Sequence, residues 1–180
     1  MEFIETRLKG AFVVRLKRIE DQRGFFARGF CHDEFLAHGL NANMQQLNIG
    51  FSHLKGTVRG LHYQKAPHEE AKFVRCTSGA IYDVVVDLRP DSPTQGEWVG
   101  LELTAGNGTM LYAPEGFAHG YQALTDGAEM YYMTSVPYAP GAGAGVRFDD
   151  PALRIDWPLA VSVVSDQDRT WPNYLPGLRS

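Results

Sequence analysis

The stretch VRGLHYQKAPHEEAKFV, residues 58 to 74, decides the fold of this chain. Two strand-like runs flank a polar turn, and this arrangement predicts a β-hairpin. The hairpin would bring two cations, Arg59 and Lys72, close to the titratable imidazole of His62. We therefore expect a site for an anionic or enolate-forming ligand at this hairpin.

Further strand-like runs extend outward from the hairpin in both directions. Between residues 45 and 138 they recur at the regular spacing of a sandwich or barrel, separated by turn signals such as Gly106-Asn107-Gly108. The run AIYDVVVDL, residues 80 to 88, is apolar enough to predict a central strand. The pattern therefore indicates an all-β protein.

The ends of the chain carry the remaining predicted elements. Residues 2 to 5 and 11 to 17 predict N-terminal strands, 20 to 24 a turn, and HDEFLAHGL, residues 32 to 40, a short helix. GAGAG, residues 141 to 145, predicts a flexible loop, and the tail after residue 149 an extended arm with Trp157 and Trp171 packed against the body. The prediction is one domain over residues 1 to 180, a double-sheet jelly-roll barrel with extra N-terminal strands and a short helix.

Composition excludes several classes of function. Hydrophobic content of 44% and charged content of 21% are typical of a globular protein, and a net charge of −4 argues against nucleic acid or an anionic membrane surface as partner. The N-terminal MEFIETRLKG lacks the apolar core of a signal peptide, and Cys31 and Cys76 form no CxxC pair. We expect a cytoplasmic protein with no membrane segment.

Placing Arg59 and His62 in one site requires an irregular strand. On a regular strand they would face opposite sides, so we expect a bulge at Gly60 that re-aims one of them. His119 follows a Pro-Glu-Gly turn and is predicted to begin a strand at the rim of the barrel. Tyr132 is a further aromatic candidate on a late strand.

A metal site is the first alternative for this constellation. Jelly rolls of the cupin type bind a metal through an HxH pair, a glutamate and a later histidine, but here the pair reads His62-Tyr63-Gln64. Glu69 or Glu70 and His119 could still be offered as ligands. Lys72 would place a fixed positive charge beside the ion and raise the cost of binding it. We expect no metal and no other cofactor.

Proton transfer at carbon fits these residue types better. A neutral imidazole removes a proton next to a carbonyl, and a cation at the carbonyl oxygen stabilises the resulting enolate. A tyrosine on the opposite face returns a proton and thereby inverts the carbon, while a carboxylate orients the imidazole. SDQD, residues 165 to 168, supplies candidate carboxylates. The residues predict this reaction class and leave the substrate open.

The chain resembles the dTDP-4-dehydrorhamnose 3,5-epimerase family. The blocks that carry the resemblance run in order through nearly the whole chain: DQRGFF (21 to 26), QLN (46 to 48), KGTVRGLHYQ (55 to 64), AKFVR (71 to 75), DVVVDLRPDSPT (83 to 94), PEGFAHGY (114 to 121), YMTSVPY (132 to 138), DDPALRIDWP (149 to 158) and SDQD (165 to 168). The resemblance implies a cupin-like jelly roll that needs no metal. It also implies a homodimer with exchanged N-terminal strands.

The resemblance assigns roles to individual residues. It implies that His62 is the base, Asp168 orients it, Tyr132 donates the proton, and Lys72 lies near the enolate oxygen. It further implies a set of residues that bind the nucleotide diphosphate, the base and the sugar: Arg23, Gln46, Asn48, Arg59, His119 and Tyr138. The implied substrate is dTDP-4-dehydro-6-deoxy-D-glucose, epimerised at C3 and C5.

The chain departs from the family pattern at Arg28, at Gly141 to Gly143 and at Gln167, which would affect nucleotide contacts rather than proton transfer.

Three alternatives to the two-carbon epimerase stay open. They are an epimerase that inverts only C3 or only C5, a metal-dependent cupin enzyme, and a sugar-binding module without catalysis.

Overall fold

A computed structural model describes residues 1–175. Two antiparallel β-sheets pack against each other and enclose the main hydrophobic core. Residues 176–180, the end of the predicted domain, lie outside the described residues. Neither helix in the described part has the length and hydrophobicity of a membrane-spanning segment.

Short strands dominate the chain. In order, they are β1 (Glu2–Glu5), β2 (Phe12–Arg15), β3 (Ile19–Asp21), β4 (Gly24–Phe26), β5 (Gln46–Ser52), β6 (Val58–Gln64), β7 (Lys72–Ser78), β8 (Ala80–Asp87), β9 (Trp98–Thr104), β10 (Thr109–Ala113), β11 (Phe117–Ala123), β12 (Ala128–Thr134) and β13 (Gly143–Gly145). The helices are α1 (His32–Ala37) and α2 (Asp166–Thr170).

The strands form one large and one smaller sheet. The six-stranded sheet has the order β1-β2-β10-β7-β12-β5, and the five-stranded sheet has the order β13-β6-β11-β8-β9. Strands β3 and β4 pair with each other as a separate hairpin. The predicted all-β jelly roll, with extra N-terminal strands and a short helix, is confirmed.

The core lies between the sheets because alternate residues of facing strands point inward. Val74 and Leu111 contribute from the larger sheet, and Ile81 and Val85 from the smaller one; all four are almost completely buried. Strand β8 lies between β11 and β9 and is buried over most of its length, as predicted for a central strand. This core holds the two sheets together, and the cavity described below is lined by both of them.

The C-terminal arm covers the outer face of the smaller sheet. Trp157 and Tyr174 pack there on a buried cluster that includes Leu61 and Val84. Trp157 also donates its indole N–H to the carbonyl oxygen of Phe148, at 2.8 Å. The prediction that Trp157 packs against the body is therefore confirmed.

Four local predictions are wrong in detail. GAGAG is not all loop, since its last three residues form β13 and pair with β6. The tail is not wholly extended, since it contains α2, and α1 ends at Ala37 rather than residue 40. Residues 20 to 24 close a hairpin, so the predicted turn is only the tip of β3 and β4. Strand β13 forms because it pairs with β6, which is distant in the sequence. Ser165 caps α2, and the pairing of β3 with β4 shortens the predicted turn.

Candidate active site

A cavity of about 1030 Å³ opens between the two sheets. Strands β5, β7 and β12 of the larger sheet form one wall, and β6, β11 and β13 of the smaller sheet form the other, with α2 beside them. Nine of the ten predicted site residues line it: Gln46, Asn48, Arg59, His62, Lys72, His119, Tyr132, Tyr138 and Asp168. The topology therefore gathers residues from distant parts of the sequence into one site.

His62 and Asp168 form a hydrogen-bonded pair on this wall. His62 Nε2 lies 2.6 Å from Asp168 Oδ1, with the imidazole half-exposed to the cavity and the carboxylate buried. Burial opposes ionisation of Asp168, but the hydrogen bond and charge of His62 and the N–H of Gly60 together hold its pKa below the ordinary value. The carboxylate is thus ionised at neutral pH and orients the ring, leaving the other ring nitrogen free for chemistry.

The predicted bulge exists at Gly60. His119 pairs with His62 and Tyr121 pairs with Arg59, so two residues of β6 oppose one residue of β11. Gly60 has φ of +119°, and a methyl group on it would lie 2.6 Å from Cα of Gly120. Only glycine permits this close crossing, and the bulge lets both Arg59 and His62 line the cavity.

Lys72 is buried, and two groups bind its ammonium. Its Nζ lies 3.0 Å from Glu70 Oε1 and donates to the carbonyl oxygen of His62, also at 3.0 Å. Gln64 Nε2 donates to the other carboxylate oxygen of Glu70, at 3.0 Å. Glu70 therefore acts as counter-ion to a lysine that would otherwise be an unpaired buried charge.

Tyr132 lies on the wall opposite His62. It belongs to β12 of the larger sheet, whereas His62 belongs to β6 of the smaller sheet, and both line the cavity. Burial, with the nearby Glu70 and Tyr121, raises the pKa of Tyr132. Its hydroxyl keeps its proton at neutral pH and is able to donate it.

His119 occupies a different position from the predicted one. It lies within β11 and is buried, whereas the sequence predicted the start of a strand at the rim. Its Nε2 is 2.8 Å from Asp83 Oδ1, so it forms a second histidine–aspartate pair. The Pro-Glu-Gly turn precedes β11 as expected, but the strand begins two residues before His119.

The other predicted binding residues form the mouth of the cavity. Gln46 Nε2 donates to Asn48 Oδ1 at 2.8 Å, and Gln46 Oε1 accepts the backbone N–H of Tyr138 at 3.0 Å. The Tyr138 ring is largely exposed, as a platform for a planar ligand would be. Arg59 donates to the carbonyl oxygen of Phe51 at 2.8 Å.

Arg23 is the one predicted site residue that does not line the cavity of its own chain. It lies at the tip of the β3–β4 hairpin, and its side chain is 89% exposed. Its guanidinium bonds Asp21 of the same hairpin, at 2.5 Å. Within a single chain, the predicted binding role of Arg23 therefore has no support from its position.

The family departures divide into two groups. Gly141, Gly143 and Gln167 line the cavity, whereas Arg28 lies outside it and pairs with Glu34 at 2.7 Å. Among residues 1–175, no group of three or more His, Cys, Asp or Glu side chains is arranged to hold a metal ion. The histidines of the cavity each pair with one aspartate instead.

Sequence reasoning named Glu70 only as a possible metal ligand and Trp171 only as a packing residue, and missed their roles in the site. Trp171 lines the cavity and donates to Asp168, and Glu70 pairs with Lys72. The pairing of Glu70 with Lys72 could have been predicted from the sequence, since Glu70 lies two residues before Lys72 in the same hairpin. For Trp171 the only signal was its position three residues after Asp168, and that spacing predicts a contact only if the segment is known to be helical.

Comparison with known proteins identifies the family. A family model described as dTDP-4-dehydrorhamnose 3,5-epimerase matches residues 5–175. The chain belongs to this family. The resemblance predicted from its motifs is confirmed, and the activity class is that of an isomerase that epimerises a nucleotide sugar.

Individual members of the family support this conclusion. The dTDP-4-dehydrorhamnose 3,5-epimerase of Sinorhizobium fredii is 40% identical over 174 residues, which are 96% of this chain and 89% of the relative. The dTDP-4-dehydrorhamnose 3-epimerase of Streptomyces niveus is 37% identical over 90% of this chain and 78% of the relative. The crystal structure of the Elizabethkingia anophelis 3,5-epimerase superposes with a TM-score of 0.94 at 37% identity and covers 97% of this chain and 96% of that one.

Proposed function

We propose that this chain inverts C3 and C5 of dTDP-4-dehydro-6-deoxy-D-glucose and forms dTDP-4-dehydro-L-rhamnose. The observation that carries the proposal is the His62–Asp168 pair on one wall of a cavity that has Tyr132 on the opposite wall. A base and an acid on opposite faces of a sugar ring are the arrangement that inversion next to a ketone requires. The named relatives, 3,5-epimerases among them, support the substrate class.

Each inversion is a proton transfer in two steps. His62 removes the proton of the carbon next to the C4 ketone, the C–H electron pair moves to the carbonyl oxygen, and an enolate forms. Lys72, held by Glu70, stabilises the negative oxygen. Tyr132 then delivers its proton to the opposite face, and solvent restores the protonation of both residues.

The nucleotide is expected to lie toward the mouth of the cavity. Tyr138 is placed to stack on the planar base, and Gln46 and Asn48 offer amide groups beside it. Arg59 supplies positive charge for the diphosphate. His119 lines the interior beside Tyr132, with ring centroids 6.3 Å apart, and is therefore assigned to the sugar.

We also infer a homodimer with exchanged N-terminal strands. The β3–β4 hairpin exposes Ile19, Phe25 and Phe26, and β5 is an edge strand that exposes Leu47, Ile49 and Phe51. Apolar surfaces of this extent and an open strand edge favour a protein partner. A partner's hairpin would supply the arginine that each cavity lacks, at the position that Arg23 holds in the hairpin.

A cytoplasmic location stays a prediction. Cys31 and Cys76 are both free thiols, the state that a reducing compartment maintains.

Deuterium exchange tests the reaction. In D₂O the wild-type chain should place one deuteron at C3 and one at C5 of the substrate, which NMR counts. His62→Ala should slow exchange at both carbons about 10²- to 10⁴-fold, the usual effect of a lost general base. Tyr132→Phe should still exchange protons but form little inverted product, because its acid is missing.

Two outcomes would change the assignment. Label at a single carbon would favour a one-carbon epimerase, the activity named for the Streptomyces niveus relative. Exchange at the wild-type rate in His62→Ala would show that another residue is the base.

A further inference from the structure

Helix α2 brings a tryptophan next to the His62–Asp168 pair. Asp168 and Trp171 are three residues apart, so they lie on the same side of this short helix. The helix ends at Thr170, and Trp171 has extended backbone angles (φ −54°, ψ 147°). Pro172 explains the end of the helix, because proline disfavours helical backbone in the residue before it.

The indole and the imidazole share one carboxylate oxygen. Trp171 donates its Nε1–H to Asp168 Oδ1 at 3.2 Å, and the same oxygen lies 2.6 Å from His62 Nε2. The two rings lie edge to face, with centroids 6.3 Å apart. Trp171 is therefore part of the hydrogen-bonded unit that contains His62.

Strand β13 provides the space in which the indole lies. Gly145 pairs in register with His62, and a methyl group on Gly145 would lie 2.5 Å from Nε1 of Trp171. The indole can reach Asp168 only because position 145 has no side chain. This requirement explains why position 145 in the GAGAG segment is glycine, although Gly145 has no role in the proposed reaction.

We propose that Trp171 is a positioning residue that lowers the proton affinity of the His62–Asp168 pair. The inference rests on the proposed role of His62 as the base. An N–H group directs the positive end of its dipole at Asp168, which makes the carboxylate a weaker partner for a protonated imidazole. His62 then stays neutral, and competent to accept a proton, down to a lower pH.

Other charged and titratable groups also face His62, and a substitution of Trp171 leaves their side chains in the sequence. Helix α2 contributes Asp168, β11 contributes His119 with Asp83 of β8 behind it, and β12 contributes Tyr132. Lys72 of β7 donates to the carbonyl oxygen of His62 and is paired with Glu70, and Arg59 lies on β6 itself. A substitution confined to Trp171 therefore isolates the effect of its N–H.

Trp171→Phe tests the inference because it keeps an aromatic ring and removes the donor. The acid limb of the kcat/KM profile should move to higher pH by about 0.5 unit, the effect expected of one moderately long hydrogen bond to a charged group. Gly145→Ala should move it in the same direction, since the added methyl displaces the indole; that methyl would also lie 2.7 Å from the carbonyl oxygen of Leu61, so Trp171→Phe is the cleaner test. Loss of activity by an equal factor at every pH, with the protonation midpoint of His62 also unchanged, would indicate packing alone and would overturn the proposal.

A second measurement needs no substrate. The His62 ring resonance, identified by its absence in His62→Asn, should titrate at higher pH in Trp171→Phe than in the wild type, by the same amount as the limb. An unmoved midpoint overturns the proposal. A moved midpoint with an unmoved acid limb supports the role of Trp171 and counts against His62 as the base, so the two proposals fail separately.

Discussion

At the scale of single residues, the charge balance around Lys72 determines how the cavity stabilises an enolate. A buried ammonium needs a counter-ion, and Glu70 provides one at 3.0 Å. The same carboxylate contributes to the raised pKa of Tyr132, after burial itself. One glutamate thus pairs with the oxyanion partner and adds to the raised pKa of the proton donor.

Glu70→Gln should therefore narrow the active pH range from the alkaline side. The amide keeps the shape and hydrogen-bonding capacity of the side chain but removes the negative charge, so the pKa of Tyr132 falls. The alkaline limb of kcat/KM should move to lower pH by about one unit. Glu69→Gln, an exposed neighbour, is the matched control and should leave the profile unchanged. An unmoved alkaline limb in Glu70→Gln would contradict this account.

Some residue roles were predictable and others were not, for a physical reason. His62, Lys72 and Arg59 lie in one hairpin, so local pattern alone places them together, and the Gly60 bulge could be expected from the need to re-aim a side chain. The His62–Asp168 contact depends on a tail that folds back onto the hairpin from more than 100 residues later in the chain. The partner of His119, Asp83, likewise follows only from the β8–β11 pairing.

At the scale of elements, the loop between β8 and β9 depends on one buried carboxylate. Asp87 is completely buried and accepts hydrogen bonds from Arg89 Nη2 at 2.7 Å, Ser92 Oγ at 2.5 Å and Thr94 Oγ1 at 2.7 Å. Burial alone would raise its pKa, but these donors together lower the pKa below the ordinary 3.8. The turn between these strands is thus held by a side chain of the preceding strand.

Asp87→Asn should destabilise the fold by about 3 kcal/mol at neutral pH, because Arg89 and the two hydroxyls lose their ionised acceptor. Since folding lowers the pKa of Asp87, its stabilising effect is complete above pH 3.8 and is lost as the pH falls through the folded-state value. Urea denaturation should show the gap to the wild type narrowing below pH 3.8. Asp91→Asn, in the same loop but exposed, should cost far less. A gap that stays constant with pH would mean that the charge of Asp87 is not what stabilises the loop.

The elements themselves were predictable to different degrees. Strands from β5 to β12 follow from alternation and turn residues, because both sheets bury one face against a common core. Strand β13 contains only Gly and Ala, so its pairing with β6 leaves no hydrophobic pattern to find. Helix α2 is a single turn capped by Ser165, which accepts the N–H of Asp168 at 3.1 Å. Neither element is long enough to produce a periodic signal.

At the scale of the whole molecule, the proposed dimer accounts for an arginine that is distant from its own cavity. If Arg23 acts in the partner's site, then a mutation in it and a mutation of His62 damage different cavities of the same dimer. The wild-type chain of 20.0 kDa should behave in light scattering as a particle of twice that mass. Ile49→Glu, which places a charge on the exposed face of β5, should yield monomers.

Subunit mixing distinguishes an arginine that acts within its own chain from one that acts in the partner. Arg23→Ala and His62→Ala homodimers should each be strongly impaired at substrate concentrations well below KM. In a mixed dimer, one cavity keeps His62 and receives Arg23 from the other subunit, so one complete site is restored. Co-expression of the two variants should therefore recover on the order of a quarter of wild-type activity, since half of the dimers are mixed and each has one working site. Recovery no greater than the parent variants show would place Arg23 outside the partner's site, and the separate hairpin would then need another explanation.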